Sequence, residues 1–144
     1  MNHDELFEAY RLTDFIVQSQ PSITFKIGQE SRELKKVFED ANVSCAAFIT
    51  AWNPYSRPTA QEDNIKNQNL LIERINKAGL RFIDGVGQDP SGQWPGEPSL
   101  LVLGMPRHEA IRLGAEFGQN AIVWIGGSGV PELVSCSDAV RIDG

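Results

Sequence analysis

Apolar residues recur along this chain with two alternating spacings, and the changes between them outline the fold. Leu6, Phe7 and Tyr10 lie three and four positions apart, which predicts a short amphipathic helix over residues 4–10. Phe15 and Val17 then alternate on one face, as do Ile23, Phe25 and Ile27, and Ser19-Gln20-Pro21-Ser22 between them is turn chemistry. That pattern predicts a β-hairpin. Leu34, Val37, Phe38 and Ala41 form the stripe of a helix from about Ser31 to Ala41. Val43 to Ala51 is a nearly unbroken apolar run, the mark of a strand buried on both faces, and Trp52-Asn53-Pro54 ends it. Thr59 with Glu62 three positions on matches a capping box, so the longest helix is predicted to start near Ala60 and to stop at Gly79.

Leu80–Val86 and Ser99–Gly104 read as strands around a glycine- and proline-rich connection, 87–98. Pro106 suits the first turn of a helix carrying Ala110, Leu113, Gly114 and Phe117, which Gly118 ends. Ala121–Ile125 is a further buried strand, and Leu133–Cys136 a final edge strand. The expected fold is therefore α+β, one domain over residues 1–144. A single mixed or antiparallel sheet carries helices mostly on one face. Its core is a ferredoxin-like split β-α-β-β-α-β unit, preceded by an N-terminal helix and β-hairpin.

Composition narrows the class of protein. With 144 residues, 41% apolar and 22% charged, the chain has ordinary globular proportions. A net charge of −6 argues against indiscriminate binding of nucleic acid or anionic membrane, both of which call for a cationic surface. Residues 1–5 lack the cationic and apolar regions of a signal peptide, and two cysteines, Cys45 and Cys136, make no disulfide framework. A cytoplasmic protein is the expectation.

The long helix departs from its own pattern. Leu71, Ile72, Ile75, Ala78 and Gly79 define its core-facing stripe, and projecting that stripe backwards at about 100° per residue reaches Gln61, Asn64 and Gln68. Carboxamides thus occupy a direction where hydrocarbon is expected, and an unpartnered buried amide costs about 1–3 kcal/mol. They are satisfied by tying down the Trp52–Thr59 loop, by overhanging solvent, or by a ligand in a polar pocket. On the ligand reading, Trp52 and Tyr55 supply flat walls, and Asn53, Ser56, Asn64, Asn67 and Gln68 supply polar groups. Glu62 and Asp63 in the first turn repel phosphate, so a neutral hydroxyl- or amide-bearing ligand fits better.

Glu62, Asp84 and Glu97 are the candidate general acids or bases. Asp84 and Glu97 face one another if the hairpin is symmetric about Pro90–Ser91. Trp94 reads as a structural clamp and Asp-Pro-Ser-Gly as a type I turn. Gln119 and Asn120 read as a structural bridge between a helix end and a strand. Gly126-Gly127-Ser128-Gly129 has no following Lys-Ser/Thr, and Gly85-Val86-Gly87 lacks the third glycine of a dinucleotide fingerprint. His3 and His108 stand alone, so neither a metal set nor a cofactor motif is expected, and Cys45 reads as packing.

Phe48-Ile49-Thr50-Ala51-Trp52-Asn53-Pro54-Tyr55-Ser56, Asn64 and Asn67, Gly85 and Gly87 with Asp89-Pro90 and Trp94, Glu97 and Ser99, and Phe117 through Trp124 together resemble domain of unknown function 3293. The resemblance spans about Phe25 to Val134 and implies a small bacterial cytosolic protein, without an activity, cofactor or catalytic residue. Pro95-Gly96 lengthens the interval between Trp94 and Glu97 relative to the spacing associated with that family. Three function classes follow: a module binding a small polar ligand or a protein partner, a metal-free hydrolase or transferase acting on a nucleotide or sugar, and an acidic adaptor.

Overall fold

The computed structural model describes residues 3–93 and 95–136. Seven strands form one sheet in the order β2-β1-β4-β5-β3-β6-β7, antiparallel at every pairing. The elements are α1 (His3–Leu12), β1 (Asp14–Val17), β2 (Ile23–Phe25), α2 (Arg32–Ala41), β3 (Ala46–Ile49), a 3-10 turn (Pro54–Ser56), α3 (Gln61–Lys77), β4 (Phe82–Gln88), β5 (Glu97–Leu103), α4 (Arg107–Glu116), β6 (Ala121–Ile125) and β7 (Pro131–Ser135). The fold is α+β with a single antiparallel sheet.

β3 is buried along its whole length, as its apolar run predicts. Side chains alternate across a strand, so Ala47, Ile49 and Ala51 meet Leu71 and Ile75 of α3 and Ala110 and Leu113 of α4. Ala46 and Phe48 point the other way, into a layer with Leu34 and Phe38 of α2 and the rings of Phe15 and Phe25. Phe15 stacks on Phe25 at 5.3 Å, and Phe48 meets both rings edge-on at 5.4 Å. Arg74 of α3 pairs with Glu116 of α4 on the surface.

The sheet curls until its two edges nearly meet. Gly28, just past β2, donates its N–H to Pro131 of β7 at 2.8 Å, and Ser31 donates to Gly129 at 2.9 Å. Two exposed edges are thereby partly covered. The Ser31 hydroxyl also accepts the Leu34 N–H and caps α2, where the sequence places the helix start.

Two predicted details differ. The capping box at Thr59 does not form: Ala60 is the residue before α3, and the Thr59 hydroxyl donates to the Arg57 carbonyl. Asn53 and Asn64 hold the backbone of Thr59 in place, which moves the helix start one residue on. The β4–β5 hairpin centres on Gly92, with Gly87 opposite Glu97 and Asp84 opposite Leu100. Symmetry about Pro90–Ser91 is thus overturned. The shift is by an odd number of residues, so Asp84 and Glu97 lie on opposite faces of the sheet.

Antiparallel pairing brings the starts of β1, β5 and β6 and the ends of β3, β4 and β7 to one end of the sheet. Tyr10, Ser56, Glu97 and Asn120 all belong to that end.

Candidate functional site

The segment that leaves β3 is bent by three residues with positive φ: Asn53 at 46°, Tyr55 at 57° and Ser56 at 58°. Asn tolerates this region, whereas Tyr and Ser adopt it at a cost and only where the surroundings impose it. Here the surroundings are explicit. The Asn53 N–H donates to Asn64 Oδ1 at 2.8 Å, and the Tyr55 N–H donates to the Gly118 carbonyl at 2.7 Å. Gly118 has a φ of 72°, and a Cβ there would stand 2.9 Å from Pro54 Cβ, so glycine is required both by conformation and by the closeness of the turn.

Two of the inward amides are where helical periodicity puts them: Asn64 is 2% exposed and Gln68 8%. Asn64 Nδ2 donates to Asn53 Oδ1 and to the Thr59 carbonyl. Gln68 Oε1 accepts the Ala51 N–H at 2.9 Å, and its Nε2 donates to the Pro98 carbonyl at 3.3 Å. Among the described residues no buried side-chain polar atom is left unpartnered. These amides hold the loop and the start of β5, which is the tying-down alternative of the sequence reading. Gln61 is exposed, a correction: it opens α3, at the end of the helix farthest from the buried Leu71 and Ile75 that set the stripe. Asn67 and Trp52 are half-buried, and Tyr55 is exposed.

The outward side of the turn carries different chemistry. The Ser56 hydroxyl accepts from Asn120 Nδ2 at 3.2 Å and is hydrogen-bonded to the Tyr10 phenol of α1. Burial pushes the Tyr10 phenol up to about 12, the nearby Glu97 and Cys136 add to the shift, and the Ser56 bond opposes it. Burial alone pushes the Glu97 carboxyl up to about 7. No described side chain forms an ion pair or hydrogen bond with that carboxylate.

Glu97 also stands in an open row. Phe25, Phe15, Gly87 and Glu97 are consecutive cross-strand partners on one face. A Cβ on Gly87 would find only Thr13 Cγ2, at 3.9 Å, among the described residues. Two positions away, a Cβ on Gly85 would stand 2.7 Å from the Phe48 ring and 2.8 Å from the Ile16 carbonyl. Among the described residues, the glycine beside Glu97 borders space, and its neighbour does not.

Glu62 and Asp84 are exposed and do not join this cluster. Asp89 closes its own turn, accepting from the Ser91 N–H and hydroxyl and from the Gln93 N–H. Trp94 lies outside the described residues. A concavity of about 740 Å³ lies between Asp4, Glu8 and Leu12 of α1 and Pro90 and Gln93 of the hairpin turn. It is on the face of α1 opposite Tyr10 and contains none of the predicted ligand residues. Cys45 donates its thiol to the Met105 carbonyl, in keeping with packing, and burial raises its pKa. Among the described residues no three His, Cys, Asp or Glu side chains gather to hold a metal, and no helix is long and apolar enough to cross a membrane.

Sequence reasoning missed Tyr10, whose spacing with Leu6 and Phe7 reads as packing alone, and Asn120, taken as a structural bridge. Gln119 does play that part, donating from Nε2 to the Trp52 carbonyl. Asn120 reaches Ser56. A residue pattern within α1 carries no signal for a partner 46 positions away in another element.

No curated protein and no solved structure is significantly similar to the chain. Residues 49–122, which include Ser56, Glu97 and Asn120 but not Tyr10, match the model of a family described as "Protein of unknown function (DUF3293)". That match covers just over half of the 144 residues, and the chain belongs to this family.

Proposed function

We propose that the protein binds a small polar ligand at the end of the sheet where Ser56, Tyr10, Asn120 and Glu97 meet. One observation carries the reading: a strained turn holds the Ser56 hydroxyl between Asn120 and Tyr10, and near Tyr10 stands the half-buried Glu97 carboxylate, which has no partner among the described side chains. Strain of this kind persists where the surroundings over-determine it, and it clusters at sites that act on other molecules. Trp52, Asn53, Asn64 and Gln68 serve the site by fixing the turn; Tyr55 and Ser56 form its outer rim.

Thermal denaturation against a panel of nucleosides, sugars, amino acids and small amines tests this. A ligand present at 100 times its dissociation constant adds about 2.7 kcal/mol, which is readily seen as a raised Tm. Ser56→Ala and Glu97→Gln both abolish the rise. A ligand whose effect survives both substitutions binds elsewhere, and the assignment fails.

A second reading, metal-free general acid–base catalysis, is favoured by the Glu97 carboxyl lying near neutrality, where a proton is exchanged most readily. It rests on one carboxylate, because Asp84 is on the other face of the sheet. Turnover of a bound compound that Glu97→Gln stops while binding persists distinguishes catalysis from binding.

A further inference from the structure

We propose that the ligand of this site carries a protonated amine, which occupies the niche over Gly87 between Phe15 and Glu97. The inference rests on the binding site assigned above and names the chemistry of its ligand.

The row Phe15–Gly87–Glu97 supplies three different things on one face of the sheet. Gly87 supplies room, because no described atom comes within contact distance of its missing Cβ except Thr13 Cγ2. Glu97 supplies a carboxylate that burial penalises and no described cation relieves. Phe15, 5% exposed and stacked on Phe25, supplies an aromatic wall of the kind that attracts a cation. An ammonium group placed there recovers the charge stabilisation that the fold itself withholds from Glu97. A neutral ligand leaves it unrecovered, and an anionic one makes it worse.

The groups around Glu97 agree with a positive visitor. From α1 comes the Tyr10 phenol, which stays protonated throughout the physiological range and is itself hydrogen-bonded to the Ser56 hydroxyl of the turn. β4 presents Gly87, and β5 presents Ser99, whose hydroxyl donates to the Glu97 carbonyl. The charged pair on β1 and its neighbour, Asp14 with Lys26 at 2.7 Å, belongs to the opposite face. At the end of β7, Cys136 acts on Tyr10. No described lysine or arginine competes for the position.

The test follows the Glu97 carboxyl carbon by NMR while ethanolamine, putrescine and the uncharged ethylene glycol are added to the whole protein. Either amine is expected to shift the Glu97 signal and to lower its titration midpoint, with binding weakened about tenfold or more from pH 8 to pH 5.5 as Glu97 takes up its proton. Ethylene glycol leaves the midpoint unchanged. Gly87→Val fills the niche from a strand position that tolerates a β-branched side chain, and it abolishes the amine effect while Glu97 remains. Glu97→Gln abolishes the pH dependence. If both amines leave Glu97 unmoved while neutral compounds raise the Tm in a Ser56-dependent way, the amine assignment falls and the binding site stands. If nothing in the panel depends on Ser56 or Glu97, the binding site falls as well.

Discussion

Asn53 and Asn64 hold each other reciprocally: the Asn53 N–H donates to Asn64 Oδ1 at 2.8 Å, and Asn64 Nδ2 donates back to Asn53 Oδ1 at 2.9 Å. This pair joins the exit of β3 to the first turns of the longest helix. It explains how a carboxamide is accommodated in a direction set aside for hydrocarbon. The polar partner is backbone and side chain of the same loop, and the bonds fix a conformation that Tyr55 and Ser56 would not adopt unaided.

Replacing Asn64 tests that account. Asn64→Ala strands the Asn53 N–H and the Thr59 carbonyl and leaves a void, so it costs about 2–4 kcal/mol. Urea denaturation reads this directly. The isosteric Asn64→Asp is no milder, because a carboxylate replaces the donor that faces Asn53 Oδ1 and Thr59.

Gly85 and Gly87 give opposite outcomes although they are neighbours on one face of β4. Gly85→Ala drives a Cβ into the Phe48 ring and the Ile16 carbonyl and costs about 1–3 kcal/mol. Gly87→Ala meets only Thr13 Cγ2, in ordinary contact, among the described residues and is neutral or stabilising by several tenths of a kcal/mol. Equal losses at both positions contradict the packing described for that row.

The fold was more legible than the site. Periodicity locates Asn64 and Gln68 because Leu71 and Ile75 on the same helix face fix the direction of the core. It fails for Gln61, where the helix begins. Hairpin register depends on how many residues the turn absorbs, and the composition of 87–98 does not state that number. Hence Asp84 and Glu97 face one another only if the hairpin is symmetric about Pro90–Ser91, and the register found separates them. Glu97 is singled out in the sequence for a pairing with Asp84, which the register does not make. The Tyr10–Ser56 contact joins distant elements, and one chain's residue pattern has no means of announcing it.

Tyr55→Gly relieves the left-handed conformation at an exposed position. A non-glycine residue there costs about 1–2 kcal/mol, partly offset by the greater freedom of glycine in the unfolded chain. A net stabilisation of about 0.5–1 kcal/mol is expected by chemical denaturation. Where a ligand is found, its affinity falls in the same variant, because the aromatic rim is gone.

Glu97 makes stability depend on pH with a definite sign. Its folded value of about 7 lies above the ordinary 4.5, so between those values the folded chain holds the proton more tightly than the unfolded chain. Its contribution therefore declines as pH rises from about 4.5 to about 7 and stays low above that. Glu97→Gln removes this decline and raises stability at pH 8 by an amount on the order of 1–3 kcal/mol, measured by urea denaturation across the range.

The most direct measurement is the titration of the Glu97 side-chain carboxyl by carbon NMR in the ligand-free protein. A midpoint close to 7, moving little with added salt, is the result expected of a desolvated carboxylate near Tyr10 with no described cation beside it. A midpoint at the ordinary 4.5 means that water or a cation already satisfies the group, and it contradicts the site assigned here.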